Sequence, residues 1–323
     1  MINAIRLFFL KKLNGRSIPI LCLLYQIGWL VSYFLLGASP LRAEEQMEKD
    51  LVIIIPSFNN MEWLESNLDS ILAQNYTNYR ILYVDDCSND GTGEAVREWL
   101  KDRHVDFREI AFDEGRFEGI PDTTEGFSAL VNDENHYFTL IRNQIRCGAL
   151  TNLYRAIQSC RDHEIVVTVD GDDWLYDADV LKRVNKAYLS GQVWLTHGCL
   201  IEYPWGNVTW SEPVPPAIVS QNAFRMVKCP SHLRTFYTWL FKKIKLDDLL
   251  YEGRFFPVTW DMAMMFPMIE MAGERHAYLS EVNYVYNMAN QLNDNKVNAQ
   301  LQNELDAFIR HKEPYQRLEQ END

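Results

Sequence analysis

The stretch that decides the fold is residues 51–60, LVIIIPSFNN. Five apolar residues, four of them β-branched, precede Pro56 with no polar position between them. Such a run is typical of a strand that is buried on both faces of a parallel sheet. The polar residues Ser57, Asn59 and Asn60 follow it and therefore stand at the carboxyl end of that strand. We predict an α/β fold whose sheet includes this strand.

Further along the chain, apolar runs alternate with segments of helical periodicity. Strands are predicted at 79–84, 137–141, 165–169 and 193–196, and helices at about 60–74, 149–160 and 177–190. Strand and helix in turn indicate a parallel sheet with helices on its faces. Residues 111–136 lack periodicity and read as a surface insertion. The second half is predicted as loops over 203–230, helices in pieces over 233–271, a strand near Tyr284 and a polar helix over 298–315.

The N-terminus differs in kind from the rest of the chain. Residues 18–37, IPILCLLYQIGWLVSYFLLG, carry no charge, and the segment 1–17 before them is basic. That length spans a bilayer, and the basic flank predicts a single-pass, membrane-associated protein with a cytoplasmic N-terminus. The alternatives are a signal peptide cleaved near residues 38–43 with export of the domain, or attachment to the cytoplasmic face of the membrane. Residues 38–50 are predicted to be a linker.

The overall composition excludes some classes of partner. The 323 residues carry a formal net charge of −14, which opposes binding to a phosphate backbone, so nucleic acid is not an expected partner. Six cysteines are present, and none has the CxxC or Cys/His spacing of a structural zinc site.

Three predicted strand ends bring polar residues to one edge of the sheet, where ligands bind in open α/β folds. These are residues 56–59, Asp85-Asp86 and residues 170–173, DGDD. Three carboxylates within four residues repel one another without a cation, and their oxygens suit Mg²⁺ or Mn²⁺. The alternative for one of them is a solvated helix cap. Asp86 is a candidate for a base or ribose contact, and ordinary turn chemistry is its alternative.

Three segments together resemble the family 2 glycosyltransferases of the GT-A fold. They are LVIIIPSFNN, SILAQNYTNYRILYVDDCSNDGT and VVTVDGDDW, in this order along the chain. The resemblance implies a mainly parallel, Rossmann-like sheet flanked by helices, with a helical C-terminal acceptor region. It also implies inverting, Mn²⁺- or Mg²⁺-dependent transfer from a nucleoside-diphosphate sugar, UDP-sugar first, to a glycan, lipid or protein. The nucleotide-sugar half would cover 51–200, the acceptor half 201–297, and a helix with a tail 298–323.

The resemblance also implies roles for single residues. The implied nucleotide-sugar contacts are Pro56, Ser57, Phe58, Asn59, Asp86, Arg146, Asp170 and Asp173. Within this set, Asp86 would contact the base and Asp170 the ribose. Asp172 would bind the metal that bridges the diphosphate. Arg146 is the candidate for a diphosphate contact, with Arg142 second, because an arginine fork matches phosphate oxygens; a surface ion pair is the alternative.

The second half supplies the candidate catalytic base. Asp261 stands where family members often carry an acidic pair, although Trp260 replaces the first acid. Its alternative is a helix cap. The weaker rivals for the base are Asp247, Asp248 and Glu270. His232 is either a further metal ligand, an acceptor contact or a structural residue. The tryptophans that are candidates for stacking on sugar rings, or for the core, are Trp205, Trp210, Trp239 and Trp260.

Two other functions remain open at this point. One is a GT-A relative that binds a nucleotide sugar or glycan without transferring it, which the replacement by Trp260 favours. The other is a sugar nucleotidyltransferase, although Pro56-Ser-Phe-Asn59 stands where such enzymes carry a glycine-rich basic loop.

Overall fold

A computed structural model describes residues 48–112, 137–209, 212–228 and 230–321. The strands are β1 (Leu51–Ser57), β2 (Tyr79–Asp85), β3 (Phe107–Phe112), β4 (Phe138–Asn143), β5 (Ile165–Thr168), β6 (Trp174–Leu175), β7 (Leu195–Tyr203), β8 (Asn207–Thr209), β9 (Arg234–Tyr237), β10 (Leu250–Tyr251), β11 (Arg254–Phe255) and β12 (His276–Asn287). The helices are α1 (Leu64–Leu72), α2 (Thr92–Asp102), α3 (Ala149–Ser159), α4 (Val180–Tyr188), α5 (Pro216–Ser220), α6 (Thr238–Lys242), α7 (Trp260–Ala272), α8 (Asp294–Val297) and α9 (Ala299–Arg310). The predicted segments 1–17 and 18–37, and most of 38–50 and 111–136, lie outside the described residues.

In the described part of the chain, ten strands form one sheet in the order β3-β4-β2-β1-β5-β9-β7-β12-β6, with β8 paired to β7. The five strands from β3 to β5 are parallel to one another. β9 runs antiparallel to both of its neighbours, β5 and β7, while β7 and β12 are parallel. The predicted α/β fold with a mainly parallel sheet is confirmed.

β1 shows why its sequence is apolar without interruption. Val52 and Ile54 face one core cluster, whereas Leu51, Ile53 and Ile55 face another on the opposite side of the sheet. Successive side chains of a strand point to opposite faces, so a strand covered on both faces needs apolar residues at every position.

Helices cover both faces of the sheet. The apolar residues of α1, α2 and α4 pack on one face, and those of α3, α6, α7 and α9 on the other. Most residues of α7 are buried, as expected for a helix that is apolar around most of its circumference. The first turn of α7 is therefore fixed in position by its packing in the core.

The second half departs from its predicted elements. Residues 233–271 were expected to be helical in pieces, but residues 234–237 form β9, which fills the gap between β5 and β7. Four residues are too few to show strand periodicity, and the sheet partners decide their conformation. Residues 203–230, predicted as loops, contain β8 and α5, and the C-terminal helix ends at Arg310 rather than near residue 315.

The predicted location also needs correction. None of the helices in the described ranges is long and apolar enough to cross a bilayer. This finding contradicts the single-pass membrane prediction with a cytoplasmic N-terminus. The segment 18–37 on which that prediction rested is itself outside the described residues.

Candidate functional site

The ends of β1, β2 and β5 meet at one edge of the sheet. The Asp86 N–H donates to the Ser57 carbonyl at 2.8 Å, and the Gly171 N–H donates to the Pro56 carbonyl at 3.1 Å. The three polar strand ends singled out in the sequence are therefore direct neighbours, joined through their backbones.

Gly171 allows the DGDD turn to approach the loop after β1. A Cβ at this position would lie 2.5 Å from Ser57 Oγ and 2.7 Å from Asn60 Nδ2, both closer than real Cβ contacts. Ser57 Oγ is itself held by the Tyr83 hydroxyl at 2.8 Å. The glycine is thus needed for protein packing, independently of any ligand.

Two asparagines brace the same turn from outside. Asn67, in α1, donates through Nδ2 to the carbonyls of Asp170 at 3.0 Å and Asp173 at 2.7 Å. The Asn287 N–H donates to Asp173 Oδ1 at 2.7 Å, and its Nδ2 donates to the Asp172 carbonyl at 3.0 Å. Neither asparagine was predicted. Asn67 left a signal, since it is a polar residue on the buried face of an amphipathic helix.

Asp170, Asp173 and His232 form a cluster that could hold a metal ion. Each offers one ligand atom, and these atoms lie within 4.8 Å of one another. His232 Nε2 is 3.6 Å from Asp170 Oδ2. Both ring nitrogens of His232 and Asp173 Oδ2 are buried and lack a hydrogen-bond partner among the described residues. Buried polar atoms are almost always paired, so three unpaired atoms in one cluster indicate a ligand site.

Electrostatics at this cluster favour a cation. Burial raises the pKa of Asp170, and burial together with the charges of Asp172 and Asp170 raises the pKa of Asp173 well above its usual range. Burial also lowers the pKa of His232 well below its usual range, and Arg234 adds to that shift. The imidazole is therefore neutral with a lone pair to offer, and a cation would relieve the crowding of the carboxylates.

Asp172 occupies a different position from its two neighbours. Its Oδ2 accepts a hydrogen bond from Asn290 Nδ2 at 2.7 Å, and its side chain is partly exposed. It is not one of the three clustered ligands. Its predicted role as the metal ligand stays a prediction.

The Asp86 carboxylate is surrounded by donors from the protein. Oδ1 accepts from Asn143 Nδ2 and from the Cys147 N–H, and Oδ2 accepts from the Gly148 N–H, each at 2.8 Å. Burial lowers the pKa of Arg155 to about 10, opposed by the nearby Asp86 charge. Asp86 thus ties β2 to the loop before α3, while its predicted contact with a base stays untested.

Two further predicted residues come together on the nucleotide side. The Arg146 guanidinium lies 3.8 Å from the centroid of the Phe58 ring. Asn59 adopts a left-handed conformation with φ 54°, and its Oδ1 accepts from the Asn89 N–H at 2.9 Å. The loop after β1 is thereby fixed against the loop after β2, with the Arg146–Phe58 stack beside it.

Arg142, the second arginine candidate, is held in a network of acidic residues. It forms ion pairs with Glu94, with Glu109 at 3.4 Å and with Asp85 at 3.7 Å. This arrangement matches the surface ion-pair alternative.

Asp261 lies in the first turn of α7 and contacts an arginine that was not predicted. Arg234 Nη2, in β9, donates to Asp261 Oδ2 at 2.6 Å. The Asp261 side chain is 27% exposed, whereas that of Arg234 is 5% exposed. The sequence signal for Arg234 was hidden because its strand was interpreted as helix.

Two of the three rival bases are engaged elsewhere, and the third, Asp247, is exposed. Glu270 is fully buried and paired with Arg225, and Asp248 binds Lys312 and the Tyr315 hydroxyl. Of the tryptophans considered for sugar stacking, Trp239 and Trp260 are in the core and Trp205 is exposed, while Trp210 lies outside the described residues.

A cleft of about 450 Å³ opens between the loop after β1 and the segment after β12. Its walls include Asn59, Trp63, Asp90 and Asn290. Because Asn290 also binds Asp172, the cleft adjoins the DGDD turn on its solvent side.

Sequence comparisons find glycosyltransferases that resemble parts of this chain. The profile of glycosyl transferase family 2 matches residues 52–120. TuaG of Bacillus subtilis strain 168, named as a teichuronic acid biosynthesis glycosyltransferase, is 35% identical over 49 residues, which are 15% of this chain and 19% of TuaG. Poly-beta-1,6-N-acetyl-D-glucosamine synthase of Staphylococcus epidermidis is 24% identical over 104 residues, 30% of this chain and 25% of the synthase. The matches thus span a quarter or less of these relatives.

Two crystal structures of TarS 1–349 from S. aureus resemble the chain in three dimensions. The one in complex with UDP has a TM-score of 0.51 and the other 0.52. Each is 16% identical, and the superposition covers 74% of this chain and 60% of the TarS chain. The fold is therefore the GT-A fold, as the sequence predicted.

Proposed function

We propose that this chain is a glycosyltransferase that transfers a sugar, with inversion and with the help of a divalent metal, from a nucleoside-diphosphate sugar to an acceptor hydroxyl. A UDP-sugar is the first choice of donor, and the acceptor is a glycan, lipid or protein. The observation that carries the proposal is the cluster of Asp170, Asp173 and His232. Its unpaired buried atoms lie at the sheet edge where β1 and β2 also end, and the family profile covers most of those two strands.

Asp170, Asp173 and His232 would hold the metal. Carboxylate oxygens suit Mg²⁺ or Mn²⁺, and the imidazole favours Mn²⁺, because Mg²⁺ prefers oxygen ligands alone. When bound, the cation neutralises the negative charge that develops on the departing nucleoside diphosphate. Asp172 remains the candidate for a further contact with the cation or donor, in exchange for its bond to Asn290.

The donor would bind across the ends of β1 and β2. Pro56, Ser57, Phe58 and Asn59 form the loop on the nucleotide side, and Asp86 anchors the wall behind it. Arg146 is free to pivot from the Phe58 ring toward the diphosphate, because its side chain is exposed. A guanidinium that leaves an aromatic face for two phosphate oxygens gains charge-assisted hydrogen bonds.

Asp261 would act as the base. It removes the proton from the acceptor hydroxyl, whose oxygen then bonds to the anomeric carbon. The bond between that carbon and the diphosphate oxygen breaks, and its electron pair leaves with the nucleoside diphosphate. Attack from the face opposite the leaving group inverts the configuration.

The direct test measures release of nucleoside diphosphate from a panel of UDP- and GDP-sugars with Mn²⁺. We expect at least one donor to be cleaved, and cleavage to stop on chelation and return with added Mn²⁺. Saturable binding of donor without release, across a broad set of acceptors, would instead identify a non-catalytic binding protein. If no donor is bound and none is cleaved, that result would contradict the proposal.

A further inference from the structure

Two arginine–carboxylate pairs with a buried arginine lie in the second half of the chain. They differ in how many hydrogen bonds the carboxylate accepts. Glu270 is fully buried, accepts from Arg225 Nε at 2.5 Å and Nη2 at 2.9 Å, and also accepts from the Tyr315 N–H at 2.9 Å. Asp261 receives Arg234 Nη2 at 2.6 Å, and among the described residues only Arg234 donates to it. The second pair therefore has a buried cation and an open carboxylate.

Arg234 is close to both Asp261 and the metal cluster. It begins β9, where it pairs with Thr168 at the end of β5, two residues before Asp170. Its charge lowers the pKa of His232, in addition to the larger effect of burial, and it opposes the rise that burial causes at Asp170. One guanidinium thus acts on the metal cluster and on the candidate base at the same time.

The carboxylates near Arg234 would otherwise repel one another. Burial raises the pKa of Tyr286, and the charges of all four nearby carboxylates, Asp173, Asp172, Asp170 and Asp261, add to the shift. The Tyr286 ring also lies 5.7 Å from the His232 ring. Asp261 therefore acts on Tyr286 together with the three acids of the DGDD turn, and a bonded cation favours keeping a carboxylate near other carboxylates.

We propose that Arg234 is the positioning residue of the transfer reaction, which holds Asp261 beside the metal cluster with one oxygen bonded and the other available to the acceptor hydroxyl. This inference rests on the proposed function. In the step it serves, the acceptor proton moves to Asp261 Oδ1 and the acceptor oxygen bonds to the anomeric carbon. The electron pair of the broken bond leaves with the nucleoside diphosphate.

The chain supplies its own control, because Arg225 and Arg234 are both buried and both bind one carboxylate. The test compares Arg234→Gln and Arg234→Lys with Arg225→Lys. Turnover is followed as UDP released from UDP-N-acetylglucosamine and UDP-glucose with Mn²⁺. Calorimetry gives the Kd of Mn²⁺ and of UDP, and thermal unfolding gives the Tm.

For Arg234→Gln we expect kcat to fall about 100-fold, with the Kd of UDP changed by less than about threefold, because the residue acts on the base and not on the donor. Arg234→Lys should recover about tenfold of the lost kcat, since an ammonium keeps the charge but not the fork. In the Asp261→Asn background, Arg234→Gln should lower kcat by less than about threefold more. Arg225→Lys should lower the Tm and leave kcat within about twofold.

Three results would overturn the inference while the proposed function stands. These are an Arg234→Gln enzyme that turns over like the wild type, losses that multiply in full with Asp261→Asn, or a fall in kcat for Arg225→Lys as large as that for Arg234→Lys. If Arg234→Gln does not fold, the Arg234→Lys and Asp261→Asn cycle decides the same question. A wild-type protein that cleaves no donor would refute the proposed function itself, and this inference with it.

Discussion

Asp86, after β2, and Asp173, in the turn after β5, lie at the same edge of the sheet and are almost equally buried, at 3% and 1% exposure. They differ in the number of hydrogen-bond donors around them. Asp86 accepts three hydrogen bonds from the protein. Asp173 accepts one from the Asn287 N–H, and a hydrogen bond with the Tyr284 hydroxyl lowers its pKa, but its Oδ2 has no donor at hydrogen-bond geometry among the described residues. Burial and position are therefore alike in the two acids. The supply of donors decides which acid supports the fold and which is available to a cation.

Asp173→Asn should produce the largest change in function. The amide keeps an oxygen for the Asn287 N–H, but it replaces the unpaired oxygen with a nitrogen that cannot bind a cation. We expect donor cleavage to fall at least about 100-fold, the scale of losing a group needed in the transition state. Stability should not fall, because the substitution removes a carboxyl group whose ionised form is disfavoured by burial and by the charges of Asp172 and Asp170. Nucleoside diphosphate release and urea unfolding test the two halves of this expectation.

Asp86→Asn should reverse that pattern. In one orientation of the amide, the new NH₂ group faces the Gly148 N–H. In the other, it faces the donors Asn143 Nδ2 and the Cys147 N–H. At least one buried hydrogen bond is therefore lost in either orientation. The expected cost is about 2 kcal/mol of unfolding free energy, from the usual penalty for an unsatisfied buried group. Affinity for Mn²⁺ should remain close to the wild-type value. A variant as stable as the wild type would show that Asp86 does not stabilise the fold.

The parallel half of the fold could be predicted because its strands are continuous apolar runs, as in Leu51–Ser57. The predicted edge of polar strand ends also proved to be one connected region of the structure. The antiparallel β9 could not be predicted, since its four residues contain an arginine and precede an aromatic-rich helix. Its loss from the prediction hid Arg234.

The supports of the candidate site were hidden for a different reason. Asn67 and Asn287 reach the DGDD turn over separations of 103 and 115 residues, and no local pattern encodes contacts of that range. For His232, the sequence leaves three roles open: a metal ligand, an acceptor contact or a structural residue. Only the fold shows that its ring is beside Asp170 and without hydrogen-bond partners.

The same contrast extends to imidazoles, with a smaller expected effect. His197 is fully buried and stacked on His276, and burial, with His276, lowers its pKa to about 3. The folded pKa is below the unfolded value of about 6.5, so the associated stability is present above pH 6.5 and is lost as the pH falls toward 3. Between pH 7 and pH 5 the unfolding free energy should fall by about 2 kcal/mol on this account.

Urea unfolding of the wild type and His197→Gln at both pH values isolates that contribution. The fall in unfolding free energy from pH 7 to pH 5 should be smaller in the variant, because the glutamine cannot take up the proton. Equal slopes in the two proteins would show that His197 does not titrate in this way. Binding of Mn²⁺ should be unchanged in His197→Gln, since this histidine is not in the metal cluster.

The most direct test of the central claim is a Mn²⁺ titration followed by electron paramagnetic resonance, in which only the free ion gives the strong sextet. The wild type, His232→Gln and Asp86→Asn would be compared at one pH, with each Tm measured to confirm folding. The account predicts one site in the wild type, affinity at least about tenfold weaker in His232→Gln, and wild-type affinity in Asp86→Asn. Equal affinity in the wild type and His232→Gln, or its loss in Asp86→Asn alone, would contradict the account.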